Sequence, residues 1–407
     1  NASDFKNDVT GSAVPNAGFA AKFERENFYQ EFRAVSNGDG PFRWLGGVTY
    51  IDENIDNFVA SILLGNQLAP TTDKTGTEGY SYYLQGEFDF ADRVTFIASA
   101  RYIDETKSAD FPSAVVAVYD PDTDTITNGV PVSGSSHEFD TTKFLPSITL
   151  SYSLEEGGTV YARYAKGLKT GGANPLVHPA QTLGSLNYLK PEQVDTYEIG
   201  LRTSLFDGRA QFTSAIFYNE YQDLQVLKAG YTGLAAVYFN AGEAETYGAE
   251  VSLNWQATDI LNLTASLGYL DAEYTNFASP GIPQLKVAPF DVSGNRMILA
   301  PETQGSLIAD FEWPITDGID GVTTVLYSYV SEFYTDDAEV EITSQDAYSL
   351  VNLRIGAKTS DEKYGFYISA NNLLDEEYIT WGSAAPSAYS VQIGAPRIIK
   401  GEFEIKF

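Results

Sequence analysis

Residues 189–226 read LKPEQVDTYEIGLRTSLFDGRAQFTSAIFYNEYQDLQV, and the first half of this stretch decides the fold. Tyr197, Ile199 and Leu201 alternate with Thr196, Glu198, Gly200 and Arg202. A period of two sends apolar and polar side chains to opposite faces of an extended strand, whereas a helix needs a period of about 3.6. The alternation stops at the tight polar turn Phe206–Gly208. The segment therefore reads as one arm of a hairpin with one apolar and one polar face.

The same pattern recurs along the chain. Val94, Phe96, Ala98, Ala100 and Tyr102 alternate with Thr95, Ser99 and Arg101, with Ile97 out of phase. Tyr247, Ala249, Val251, Leu253 and Trp255 alternate with Gly248, Glu250, Ser252 and Asn254. Segments 261–269, 350–357 and 364–371 behave alike, and at the C-terminus Ile399, Gly401, Phe403, Ile405 and Phe407 alternate with Lys400, Glu402, Glu404 and Lys406. No segment shows a helical period. Aromatic residues (Tyr102, Tyr152, Tyr197, Trp255, Tyr269, Trp313) sit near the ends of the apolar faces. Alternation with aromatics suits a soluble sandwich as well as a membrane barrel.

The connections separate these two. Tight polar turns fall at Asn37–Gly40, Phe90–Asp92, Glu155–Gly158, Phe206–Gly208, Ala257–Asp259, Thr316–Gly318 and Ser360–Glu362. Between them lie long, irregular connections, at about Thr106–Phe139, Thr170–Pro191, Lys228–Phe239, Phe277–Pro301 and Asp336–Ala347. Short turns at one end and long loops at the other are the mark of an antiparallel transmembrane β-barrel of the outer-membrane type. Seven hairpins and the strand ending at Phe407 give fifteen strands. Closed bacterial barrels normally have an even number, so either Asn1–Arg25 contains a sixteenth strand or strands are missing before residue 1. The fold class is all-β, and residues 1–407 form a single barrel domain.

Composition narrows the function. With 55 Asp+Glu against 25 Lys+Arg, the 407 residues carry a formal net charge of −30. No nucleic-acid partner fits a chain without a basic balance. The chain has no Cys, which excludes disulfides, Cys–zinc sites and thiol catalysis, and its two His leave little for a histidine metal cluster. No run approaches about 18 apolar residues, so no transmembrane helix is present, which leaves a β-barrel untouched. The patterns G-x-S-x-G and H-E-x-x-H are absent, and KTGGANP (169–175) is not a phosphate loop. Nothing assembles into a catalytic constellation, and no cofactor is implied.

Several stretches, taken in order, resemble a known family. These are QEFRAVSNGDGPFRWLGGVTYIDE (30–53), LQGEFDFADRVTFIASARYIDETK (84–107), YARYAKGLKTGGANP (161–175), residues 189–226, FNAGEAETYGAEVSLNW (239–255), NNLLDEEY (371–378) and GAPRIIKGEFEIKF (394–407). Together they resemble the C-terminal part of the barrel of TonB-dependent outer-membrane transporters, from about Tyr29 to Phe407. The resemblance implies active import of a scarce, bulky solute (a siderophore, vitamin or glycan) across the outer membrane of a Gram-negative bacterium. Extracellular loops would capture the small-molecule ligand, a plug would block the lumen, and the TonB energy-coupling complex would pull on the plug. The family has 22 barrel strands and a plug. No plug and no TonB-contacting segment is recognisable here, and about seven strands are lacking, so the sequence is expected to be N-terminally incomplete. A passive porin of about 16 strands and a structural or adhesive surface β-protein are the alternatives.

The alternation sends Arg101, Arg163, Glu198, Arg202, Glu250, Arg354 and Asn371 into the lumen, as candidates for plug or solute contact. An ordinary hydrated interior with cross-strand charge pairs would present the same residues. Phe403, Ile405 and Phe407 form the terminal aromatic signal that the resemblance assigns to the barrel-insertion machinery. Asp120, Asp122 and Asp124 are weak metal candidates. They fail the EF-hand pattern at Thr125 and Pro131 and read better as a solvated hairpin tip. Asp336, Asp337, Glu339 and Glu341 read the same way, and His137 and His178 read as exposed loop residues. If the acidic excess lies in the loops, the outer surface attracts divalent cations that bridge lipopolysaccharide and repels anionic ligands at low salt.

Overall fold

The computed structural model describes residues 2–8, 18–63, 66–67, 71–111, 113–120, 125–155, 157–173, 188–229, 236–279, 290–385 and 388–406. One antiparallel sheet of 17 strands dominates it. Apart from the two-residue Asn66–Gln67, its sixteen members follow one another along the chain. They are β1 (Ala2–Asp8), β2 (Gly18–Val35), β3 (Phe42–Leu63), β4 (Thr71–Ala91), β5 (Val94–Phe111), β6 (Ser135–Ser153), β7 (Gly158–Lys169) and β8 (Glu192–Leu205). The second half comprises β9 (Ala210–Gln222), β10 (Glu243–Thr258), β11 (Leu261–Asn276), β12 (Thr303–Thr316), β13 (Ile319–Val330), β14 (Tyr348–Thr359), β15 (Tyr364–Asn371) and β16 (Ile398–Ile405). Each strand is hydrogen-bonded to the next. Ala2–Asp8 is the sixteenth strand sought within Asn1–Arg25.

All seven expected turns join consecutive strands. The β8–β9 turn closes with Arg209 N donating to Phe206 O at 3.2 Å, and the β12–β13 turn places Gly318 at φ 90°. A positive φ of that size is costly for a residue with a Cβ, which is why these turns carry glycine.

Register turns the alternation into continuous rows. Phe42, Phe88, Phe96, Leu150, Ala162, Ile199, Ile216, Ala249 and Tyr269 are successive direct partners from β3 to β11. Leu150, Ile199 and Ile216 are 52%, 53% and 57% exposed. An apolar row this long facing water would forfeit about 1.5–3 kcal/mol per large side chain. It is the lipid-facing side of the sheet.

Tyrosines bound this band toward the loops. Tyr164, Tyr197, Tyr218 and Tyr247 are direct partners on β7–β10, with the first two ring pairs at 5.3 and 6.3 Å. Tyr50 and Tyr80 continue the girdle at 4.9 Å, and Phe206 against Trp255 at 5.4 Å marks the turn side. β3 has 22 residues and runs about 70 Å at about 3.3 Å per residue, against an apolar band about 25 Å tall. The strands therefore continue well beyond the bilayer.

Immediately beyond the girdle the outer face becomes acidic. Tyr50, Tyr164 and Tyr247 donate their hydroxyls to Glu78, Asp195 and Asp271 at 3.0, 2.6 and 2.7 Å. Asp195, Glu220, Glu245 and Glu273 stand side by side on four strands, with Lys166 paired to the first at 3.0 Å. Part of the acidic charge is thus carried by strands rather than by loops.

The long connections are more ordered than the sequence suggested. Ala114–Asp120 pairs with Thr125–Val132, Gln225–Ala229 with Ala236–Asn240, and Ile379–Ala385 with Ala388–Ile393. A buried cluster of Leu224, Phe239, Ala241, Ala244, Tyr274, Phe277 and Val292 fastens the β9–β10 and β11–β12 connections over β10 and β11. Beyond the lipid both faces meet water or neighbouring loops, so the period of two that signals a strand fades while the pairing persists.

Neighbours on opposite faces give a direct test. Leu267→Lys on the lipid side should cost about 2–4 kcal/mol, and Ser266→Lys on the other side less than about 1 kcal/mol. Denaturant unfolding in lipid vesicles measures both.

Candidate functional site

The polar face of the sheet encloses a cavity of about 910 Å³ lined from β7 to β13. Residues of seven consecutive strands share one cavity only if that face is concave. Arg163, Glu198, Arg202 and Glu250 all line it.

At one end of it Arg163 stands directly opposite Glu198 across β7 and β8. Tyr161 donates its hydroxyl to Glu198 Oε1 at 2.6 Å, and the Arg202 guanidinium lies 5.4 Å from the Tyr161 ring centroid. Tyr161 can lie flat across β8 because its direct partner there is Gly200, where a Cβ would strike the ring. Glu250 follows two strands further on, in the same row through Ala215. Two carboxylates, two guanidinium groups and a phenol thus form a hydrated, mixed-charge surface that binds by hydrogen bonds and charge and offers no nucleophile–base pair.

The other candidates lie elsewhere on the polar face. Arg101 donates from Nε to Ser81 Oγ at 3.1 Å, and Ser81 meets Thr49 at 2.7 Å. Arg354 stacks 3.7 Å over the Tyr367 ring and approaches Glu402 at 3.6 Å. A larger ion-pair cluster went unread in the sequence. Arg43 donates to Glu87 at 2.6 Å and to Asp89 at 2.7 Å, and Thr95 donates to Asp89 at 2.9 Å. These residues lie one strand apart in register, and alternation combined with pairing would have revealed them.

Asn371 ends β15, opposite Ile398. Its neighbour Asn372, missed in the sequence, does more for the structure. It is 4% exposed with φ 49°, its Nδ2 donates to the Glu376 and Ala395 carbonyls, and its Oδ1 accepts from Glu376 N. The motif NNLLDEEY is a backbone clamp, and asparagine suits it because its short amide tolerates the left-handed conformation.

Two expectations need correction. His137 is not an exposed loop residue: it lies on β6, with Tyr188 Oη 2.8 Å from Nε2 and the Phe139 ring beside it. β6 begins earlier than the alternation showed because its first residues pair beyond the bilayer. Nor are Asp336, Asp337 and Glu339 a free acidic tip. Asp337 is 7% exposed, Asn295 Nδ2 donates to its carbonyl, and Arg296 N donates to Glu339 Oε1 at 2.9 Å. The Arg296 guanidinium also pairs with Glu332 at 3.3 Å and with Glu302 at 3.4 Å.

Asp120 ends a hairpin strand, whereas Asp122, Asp124 and His178 lie outside the described residues. Among the described residues no group of three or more His, Cys, Asp or Glu is placed to hold a metal. Phe403 and Ile405 project from the outer face of β16, 65% and 43% exposed, and Phe407 lies outside the described residues.

The family model described as TonB dependent receptor-like, beta-barrel matches residues 1–373. The chain belongs to this family. Its members are outer-membrane transport receptors rather than enzymes. Among curated relatives, the probable TonB-dependent siderophore receptor PiuA of Acinetobacter baumannii is 26% identical over 239 residues, covering 57% of this chain and 30% of that protein. The metal-pseudopaline receptor CntO of Pseudomonas aeruginosa is 26% identical over 238 residues, with the same coverage. The ferric yersiniabactin uptake receptor FyuA of Yersinia pestis superposes with a TM-score of 0.80 at 18% identity, over 96% of this chain and 55% of that one. The chain thus spans about a third of the first curated relatives' length and about half of the solved receptor's.

The asparagine pair yields a sharp contrast. Asn372→Ala strips partners from buried backbone groups and leaves alanine at positive φ, for an expected loss of about 2–4 kcal/mol. Asn371→Ala should stay within about 0.5 kcal/mol. Unfolding midpoints of the two variants check this.

Proposed function

We propose that the protein imports a scarce, bulky metal chelate of the siderophore class across the outer membrane of a Gram-negative bacterium, driven through TonB. The observation that carries this reading is the family match over residues 1–373, joined to a polar concave cavity behind an apolar outer face. The first curated relatives are receptors for a siderophore and for metal-pseudopaline, which favours a metal chelate over a vitamin or glycan.

In this reading the loop end, stiffened by its own buried cluster, captures the ligand. A plug fills the lumen and contacts the polar face at Arg101, Arg163, Glu198, Arg202, Glu250, Arg354 and Asn371. TonB pulls on the plug, and the barrel breaks no bond. The outer face meets lipid and lipopolysaccharide, and the terminal strand with Phe403, Ile405 and Phe407 addresses the barrel-insertion machinery. A passive porin shares the architecture but needs no energy coupling.

Radio-iron uptake from ferric catecholate, hydroxamate and citrate complexes, by cells carrying the full-length protein with and without TonB, decides between them. Import predicts uptake of at least one complex that falls about tenfold or more when TonB is deleted. Uptake indifferent to TonB would support the porin.

A further inference from the structure

The polar face does not share its charge evenly. On β5–β7 the register turns five cations inward, Arg101, Lys107, Lys143, Arg163 and Lys169, against the single carboxylate Glu105. The outer face of the same three strands carries Asp104, Asp110, Glu138 and Asp140 against Lys166 alone. On β9–β13 the inner face has a row of hydroxyls, Thr213, Ser252, Ser266, Ser306 and Ser328, and no cation. Lys143, Arg163 and Lys169 have no ion pair among the described residues. The carboxylates that face two of them across β8 are engaged elsewhere: Glu198, opposite Arg163, accepts from Tyr161, and Glu192, opposite Lys169, accepts from Gln225 N at 2.8 Å. With 55 acidic residues to 25 basic ones in the chain, cations left unpaired on one inner wall are set apart from the carboxylates that could neutralise them.

Toward the loops this wall also carries rings. Phe139 stands directly opposite Lys107, and the Tyr188 ring lies 5.2 Å from Phe139 and 4.9 Å from His137. The Lys107 stem passes beside Gly172, whose short ladder to Leu189 brings Tyr188 there. Lys143 lies four residues from Phe139 along β6, about 13 Å at about 3.3 Å per residue. The β6–β7 ladder stops at Ser147 and Ala165, and Lys143 and Lys169 each follow four residues beyond it. We infer that this wall holds an anionic chelate with aromatic donor groups, of the catecholate or phenolate class, at Lys107, Lys143 and Lys169. The inference rests on the metal-chelate reading above and names the ligand's charge and chemistry within it. Ammonium groups give charge-assisted bonds to phenolate oxygens, and the rings of the donors stack or meet edge-on with Phe139 and Tyr188. The acidic outer face repels an anion only at long range, where salt screens it beyond about 8 Å, whereas the inner cations act at contact.

Binding to the purified full-length protein tests this, with the ferric complexes of a synthetic tris-catecholate, of citrate and of a tris-hydroxamate as probes and tryptophan fluorescence as the readout. The tris-catecholate complex should bind about tenfold or more tighter than the other two. Lys107→Gln, Lys143→Gln and Lys169→Gln together should weaken it about tenfold or more, and Phe139→Leu about threefold. Lys166→Gln, on the outer face of β7 and paired with Asp195, should leave it within about twofold. Should the triple variant fail to assemble, the unmodified protein decides by salt: affinity for the tris-catecholate complex should fall about tenfold between about 0.05 and 0.5 M. Equal or tighter binding of either other complex, unchanged affinity in the triple variant, or indifference to salt would overturn the site. TonB-dependent uptake of the hydroxamate complex alone would overturn the site and leave the import reading standing. Capture of the catecholate complex without TonB-dependent uptake would support the site and overturn the import reading.

Discussion

Backbone pairing is the constraint on which the rest of this structure depends. In hydrocarbon an N–H or C=O without a partner costs several kcal/mol, and a strand can find those partners only in its neighbours. Strands β2 to β15 satisfy this by pairing on both edges with their neighbours in chain order, joined by short turns at one end. Because side chains alternate along each paired strand, one decision about register sorts every residue to lipid or to lumen. The apolar row from Phe42 to Tyr269 and the hydroxyl row from Thr213 to Ser328 are two readings of the same ladder.

Much of this ladder is legible in the sequence because the bilayer enforces it. Tyr197, Ile199 and Leu201 must be apolar where lipid surrounds them, and the turns must be short and polar. Even Ile97, which breaks the alternation, sits on the polar face opposite Glu87 and Thr149, as its phase requires. Legibility ends where the lipid ends. His137 and the first residues of β6 are paired as firmly as any others, but no solvent contrast marks their two faces. The same holds for Asn372, whose role lies in a left-handed turn and three backbone contacts that no periodicity encodes.

The site was legible in parity and not in partnership. Alternation brings Arg163, Glu198, Arg202 and Glu250 to one face, but register alone brings Tyr161 onto Glu198 and Arg43 onto Glu87 and Asp89. The charge of −30 also gains part of an address. Asp195, Glu220, Glu245 and Glu273 crown the tyrosine girdle on the outer face, at the level of the headgroups. Like charges directly opposite one another repel, and cations held among headgroups would screen that repulsion.

The two-faced strand is tested most directly along β8. The 407 residues contain no cysteine, so single cysteines at each position from 196 to 202 can be introduced in turn and labelled in the assembled barrel with a water-soluble and a lipid-soluble thiol reagent. The structure predicts strict alternation, with positions 196, 198, 200 and 202 reacting from water and 197, 199 and 201 from lipid. Equal reactivity with the water-soluble reagent at all seven positions would contradict a membrane-spanning strand and the architecture built on it.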